Sequence, residues 1–194
     1  MLGASLVITL AGCGNSSAPI TASPRTLVLT LLQLPYAGFT IENGSKSTGF
    51  ISNKTAAGGQ GAALRRFEAE DRKSAYLATF IREVSPQEVV GPVVIASSAV
   101  LYGSISGASS GFTAASKQLG QTGWQHVSTG PLGDQAAGFT ESRMANQVDY
   151  QSFVIDWRQS NVVNQVRIAG NAATLDIGYA LTLARIQQRS AAAS

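Results

Sequence analysis

One cysteine and one histidine in 194 residues remove two large classes of chemistry at the outset. A lone cysteine excludes a disulfide within the chain, and Cys13 with His126 cannot make up the three or four ligands of a structural zinc site. Charged residues are also scarce, at 13% against the usual quarter, so the surface must be built from Ser, Thr, Asn, Gln and Gly. The formal charge of +3 is small, and no basic run tracks a phosphate backbone, so nucleic acid is not an expected partner. The one dense cluster, "RRFEAEDRK" from Arg65 to Lys73, alternates in sign and reads as a solvated face with local ion pairs, Glu68 and Glu70 included. Phosphate-loop and dinucleotide glycine patterns are missing, as is a G-x-S-x-G nucleophile elbow. No cofactor and no metal are expected.

What is present begins with an uncharged apolar stretch, Leu2 to Leu10, too short for the ~20 residues that span a bilayer and right for the core of an export signal. It ends at Leu10-Ala11-Gly12-Cys13: a large aliphatic residue, two small ones, then the cysteine. This resembles the lipobox of bacterial lipoproteins. The resemblance implies that Cys13 receives a diacylglyceryl group, that residues 1–12 are removed as a signal peptide, and that the chain is held at the extracytoplasmic side of the cell membrane. Two or three acyl chains give stable anchoring, each buried methylene contributing about 0.8 kcal/mol. Lipoprotein signals carry Lys or Arg before the apolar stretch, and here only the Met1 amino group is positive, as expected if the start codon was placed too late or the precursor is truncated. The stretch after the cysteine, "GNSSAPITASP", is rich in Gly, Ser, Pro and Ala and reads as a flexible tether over 13–24.

The remaining length, 25–194, suits one domain. Ser23 and Pro24 signal a helix start, and "RTLVLTLLQL" is expected to be a short helix stopped by Pro35, while the same run is rich enough in Val and Leu to be a strand. A first strand or a hairpin near Asn43-Gly44 is expected next, then a glycine-rich loop over 52–61 and a short helix over 62–67. "YLATFIR" and Val93 to Tyr102 read as strands, the first apolar on both sides. Gly107 to Leu119 is an amphipathic helix, with "GASSG" at its start read as a plain N-cap. "WQHVS" and "AAGFTES" supply two short strands. Tyr150 to Ala169 is a hairpin: a two-residue turn at Ser160-Asn161 sets Ile155 opposite Val166, Phe153 opposite Ile168 and Trp157 opposite Asn164. The other face, with Asp156, Arg158, Gln165 and Arg167, reads as solvated or partner-facing. A last helix is expected from about Leu175 to Arg189, with Leu175, Tyr179, Leu183 and Ile186 along one stripe and Asp176 in its first turn.

This order predicts an α+β fold, a mainly antiparallel sheet packed with helices as an α/β/α sandwich. "LLQLPYAGF", "GDQAAGF", "WRQSNVVNQVRIAG" and "ALTLARIQQR" together resemble elements of exported bacterial lipoproteins, and the element order is similar to the Mog1/PsbP type. At the hairpin this chain has Ser160 where glycine is usual, which places strain on a positive φ.

The functional expectation is a membrane-anchored binding or accessory domain at the cell envelope, with an envelope protein or a small molecule as partner. The alternative is a hydrolase-like envelope enzyme whose site linear sequence hides. Catalytic work would have to be built around His126, beside Trp124; a partly exposed strand residue is the economical reading. Tyr102, Trp124, His126 and Trp157, with Tyr150, are the candidates for lining a ligand pocket, weighed against plain core packing.

Overall fold

The computed structural model describes residues 18–44, 47–84, 90–145 and 147–192. The expected signal segment and Cys13 lie outside them. Among the described residues, eight strands form one sheet in which every pairing is antiparallel: β1 (Phe39–Ile41), β2 (Gly49–Ile51), β3 (Arg72–Arg82), β4 (Pro92–Tyr102), β5 (Gln125–Val127), β6 (Gln135–Ala145), β7 (Val148–Gln159) and β8 (Val162–Asn171). The spatial order is β1-β3-β4-β8-β7-β6-β5, with β2 also beside β3. Helices α1 (Asn53–Ala56), α2 (Gly61–Ala69), α3 (Ile105–Gln121) and α4 (Ile177–Ala192) complete an α+β fold.

The β7–β8 hairpin has the register expected from its alternation, with Ile155 opposite Val166, Phe153 opposite Ile168 and Trp157 opposite Asn164. Ser160 takes the turn with φ 53°, left-handed for a non-glycine residue. The Ser160 amide donates to Asp134 Oδ2 at 2.7 Å and its hydroxyl to the Ala18 carbonyl at 3.0 Å, which offsets the strain. Asn161 beside it binds the incoming chain in both directions: its Oδ1 accepts from the Ile20 amide at 2.7 Å, and its Nδ2 donates to the carbonyls of Ile20 at 3.2 Å and Tyr102 at 2.8 Å. Ala18 and Ile20, within the span read as tether, are thus hydrogen-bonded to the β7–β8 turn.

Two local expectations give way to tertiary demands. The helix over "RTLVLTLLQL" is replaced by two short 3-10 turns, Pro24–Leu27 and Leu31–Gln33. Leu27, Val28 and Leu29 are all buried in succession, a pattern no helix offers, and the Leu29 amide donates to Ser97 Oγ on the sheet at 2.9 Å. The hairpin at Asn43-Gly44 is absent: β1 and β2 both pair with β3 and form one interrupted edge strand. The excursion between them is anchored at both ends on Thr79, whose carbonyl accepts from the Glu42 amide at 2.9 Å and whose amide donates to Thr48 Oγ1 at 3.2 Å. The last helix starts at Ile177, two residues later than expected, with Asp176 ahead of it accepting from the Gly178 amide at 2.6 Å; Leu175 and Leu183 of the expected stripe are buried in the core, Tyr179 and Ile186 pack against it, and Ala180, Ala184, Gln187 and Ala191 are buried beside them.

Both faces of the central strands are covered. One carries Ile95, Ser97, Ala99, Ile155, Trp157, Asn164, Val166 and Ile168 under α4 and the 3-10 segment. The other carries Tyr102 and Val163 under α3. The side read as solvated is thus an interface: Asp156 is 1% exposed, and Arg158 is tied to Asp134 at 2.9 Å and Gln135 at 2.7 Å. Only Arg167 on that side stays exposed.

At the centre of the first face Gln187, fully buried, joins α4 to the sheet. Its Oε1 accepts from Ser97 Oγ at 2.7 Å, and its Nε2 donates to the Ser98 carbonyl at 3.0 Å and Asn164 Oδ1 at 3.3 Å. Replacing Gln187 by Leu keeps the volume but strands these partners, so urea unfolding should show a loss of roughly 2–4 kcal/mol. Arg185→Gln, on the exposed side of the same helix, should change stability by under about 0.5 kcal/mol.

Candidate functional site

The "GASSG" glycines serve a purpose other than capping. The N-cap of α3 is Ser104, whose Oγ accepts from the Gly107 amide at 3.0 Å. Gly107 and Gly111, one turn apart, let the helix approach its supports. A Cβ on Gly107 would stand 2.0 Å from the Glu70 carbonyl oxygen, and one on Gly111 2.2 Å from the Tyr102 hydroxyl. Further along, Ala115 and Gln118 line a cavity of about 220 Å³ between α2, α3 and strands β3, β4, β7 and β8. Arg66, Phe67 and Gln118 line both this cavity and a wider depression of about 580 Å³ between α1, α2 and α3, whose wall includes Lys117.

The inner cavity holds an unequal set of charges. Glu70, buried at the end of α2, lies 3.6 Å from Arg66; burial raises its pKa while Arg66 and Arg72 oppose the rise. Arg72 is buried as well, donates to Asn53 Oδ1, lies 5.1 Å from the Phe67 ring centroid, and has its pKa lowered chiefly by burial. Burial, with Glu70 next in weight, pushes the Tyr102 hydroxyl up to about 12. Asp156 enters from β7. Its Oδ1 accepts from Gln165 Nε2 at 2.9 Å, while its Oδ2 is buried with no hydrogen-bond partner. Burial pushes the Asp156 carboxyl up from 3.8 to about 6, with the Gln165 hydrogen bond acting the other way.

Of the residues proposed from sequence, Tyr102 lines this cavity. Trp157 is on the opposite face of the sheet, fully buried in the main core with its indole N–H unpartnered. Trp124 is half-buried, with the Arg167 guanidinium 5.3 Å from its ring. His126 is exposed on β5 against Phe139, ring centroids 4.6 Å apart, and is not among the cavity's lining residues. The four are not brought together. Sequence reasoning missed Asp156, Glu70, Arg72 and Arg66. Glu70 was read as a solvated charge, but the close approach of α3 buries it. For Asp156 there was a signal: it interrupts the run Phe153, Val154, Ile155, Trp157, and a strand apolar on both faces is covered on both faces.

The site can bind more readily than it can transform. It offers one unsatisfied hydrogen-bond acceptor, guanidinium groups on the α2 side and an apolar wall of Val100, Val163 and Ala115, with no histidine in reach of the carboxylates. Among the described residues no three of His, Cys, Asp and Glu come together to hold a metal ion.

No protein-family profile matches the sequence, and no curated protein is similar to it. The fold does have a solved counterpart. The extracellular domain of PknH from Mycobacterium tuberculosis is similar at a TM-score of 0.60 and 8% identity, covering 88% of this chain and 95% of that one. Identity that low speaks for the architecture alone.

A carboxyl whose pKa is raised on folding contributes stability below about pH 4 that is lost as pH climbs through about 6. Asp156→Asn should therefore be more stable than the parent at pH 7.5 by up to about 3 kcal/mol, two pKa units at 1.36 kcal/mol each. In urea titrations the gap should close by pH 4.

Proposed function

We propose that the chain is an exported lipoprotein, anchored through lipid on Cys13 at the extracytoplasmic side of the cell membrane, whose domain binds a small ligand in the cavity beneath α3. The observation that carries the binding reading is Asp156 Oδ2, buried at a cavity wall with its hydrogen-bonding capacity unused. Burying such a group costs free energy unless something satisfies it. The fold shared with an extracellular domain and the Leu10-Ala11-Gly12-Cys13 sequence support the address. The mooring of Ala18 and Ile20 on the β7–β8 turn fits it too: five residues span at most about 18 Å, so lipid on Cys13 would hold that turn near the bilayer.

Two measurements test this. Mass spectrometry of protein extracted from envelopes should find an amino terminus at Cys13 carrying a diacylglyceryl group, and Cys13→Ser should shift the protein from the membrane to the soluble fraction; an unmodified thiol in a chain starting at Met1 rejects the anchor. A low-molecular-weight envelope extract should raise the Tm of the mature protein, and Ala115→Trp, which fills the cavity, should abolish that rise.

An accessory role with a protein partner has its own supporting observation. Leu32 is 98% exposed and Phe50 61%, near Leu31 and Ile41 at the β1–β2 edge, beside an apolar groove of about 310 Å³ that includes Tyr76 and Phe80. Exposed apolar side chains grouped in this way are typical of partner surfaces. Leu32→Asp should remove any partner recovered with the wild-type protein while leaving its Tm within about 1 °C.

A further inference from the structure

We infer that the ligand of the cavity beneath α3 is a small zwitterion, its primary amine seated on Asp156 and its carboxylate at Arg66. This rests on the binding reading above and names the chemistry of what is bound.

The argument starts from charge balance. Arg66, Arg72, Glu70 and Asp156 all line the inner cavity, two positive and two negative. Glu70 is offset twice, by Arg66 at 3.6 Å and by Arg72 nearby. Asp156 has only the neutral amide of Gln165. The cavity is thus balanced as a whole but divided: surplus positive charge on the α2 side, an uncompensated carboxylate on β7. A cation alone would satisfy Asp156 but add net charge to a buried place, and an anion alone would leave Asp156 as it is. A molecule carrying both charges, oppositely placed, meets each need without net charge, and desolvation makes that match worth more than it would be in water.

Geometry and size agree. Arg72 is buried and engaged by Asn53, whereas Arg66, 3.6 Å from Glu70 and 5.0 Å from the Phe67 ring centroid, keeps a side chain 43% exposed and lines the inner cavity and the outer depression alike, so it is the guanidinium an incoming carboxylate can share with Glu70. Lys117, on the wall of the outer depression, adds to the positive potential there. Between the poles, Val100, Val163 and Ala115 suit an aliphatic spacer. A volume of about 220 Å³ equals that of about seven waters at ~30 Å³ each, room for a ligand of roughly eight heavy atoms.

Protons compete with the amine for Asp156. The groups facing it are Gln165 on β8, Ser98 and Tyr102 on β4, Arg72 on β3, Arg66 and Glu70 on α2, and Gln118 on α3; Arg158, also on β7, is held by Asp134. Asp156 and Glu70 are the carboxylates among them, and Asp156→Asn separates their contributions.

The test is isothermal titration calorimetry on the mature full-length protein with four probes of one length: 5-aminopentanoate, pentylamine, pentanoate and pentanol. Expected at pH 7.5 is binding of 5-aminopentanoate at least tenfold tighter than of the other three. Asp156→Asn, which the stability argument says folds well, should weaken it by about ten- to a hundredfold, and Arg66→Gln by about threefold. Lowering the pH to 5 should weaken binding to the parent by about tenfold and leave the Asp156→Asn protein flat. Equal binding of pentylamine overturns the zwitterion by removing the carboxylate's part. Equal binding of pentanoate or pentanol overturns the amine's part, yet leaves the cavity a binding site if Ala115→Trp blocks it. No binding of any probe overturns the inference, while the extract and anchor measurements decide the broader reading separately.

Discussion

The central strands of this protein are roofed on both sides, and that single constraint governs every polar side chain they carry. A buried polar group on β4, β7 or β8 has no route to bulk water and must find a partner inside or remain unsatisfied. On the α4 side the answer is a network: Ser97, Gln187, the Ser98 carbonyl, Asn164 Oδ1 and the Leu29 amide meet one another's needs and tie helix, sheet and N-terminal segment together. On the α3 side the corresponding position is Asp156, and only one of its oxygens is answered. The two faces of one hairpin therefore divide into a structural half and a half left open.

On the second side two glycines bring the first turns of α3 down onto Glu70 and Tyr102, and the small Ala115 with Gln118 lines the cavity that follows. Closing the gap with larger apolar side chains would bury more surface and strengthen the core. The chain instead keeps a cavity lined by a carboxylate whose burial weakens the fold at neutral pH, a local departure from best packing of the kind found at functional sites.

Local patterning was informative where local rules suffice. The β7–β8 register followed from alternation and a two-residue turn, and the structure reproduces it pair for pair, with Ser160 in the left-handed conformation the turn requires. The strand-rich α+β class was legible for the same reason. The segment from Arg25 to Leu34 was not: its run of Leu and Val suits helix or strand, and it became neither because Ser97 captures the Leu29 amide from 68 residues away. The Asn43-Gly44 pair is a good turn former, but Thr79 holds both sides of the excursion and sends β1 and β2 to the same neighbour. His126, Trp124, Tyr102 and Trp157 drew notice as the residues that most often do chemistry, and the topology distributes them over both faces and an edge. Asp156 and Glu70 escaped notice because burial of a charge depends on which helix crosses it.

By itself, then, the sequence determined what nearest neighbours determine: an apolar run ending at Cys13, the alternation that makes strands, the turn at Ser160-Asn161, the shortage of charge and the lack of any metal-binding or nucleophile pattern. Tertiary structure alone decided which face of the sheet lies under α3, how closely that helix can approach, and that one carboxylate from β7 should be left facing a cavity with two arginines on its far side. Those outcomes depend on contacts between segments far apart in the chain, 90 residues between Gln187 and Ser97 and 141 between Ile20 and Asn161, where linear periodicity carries no information about distance, burial or charge compensation.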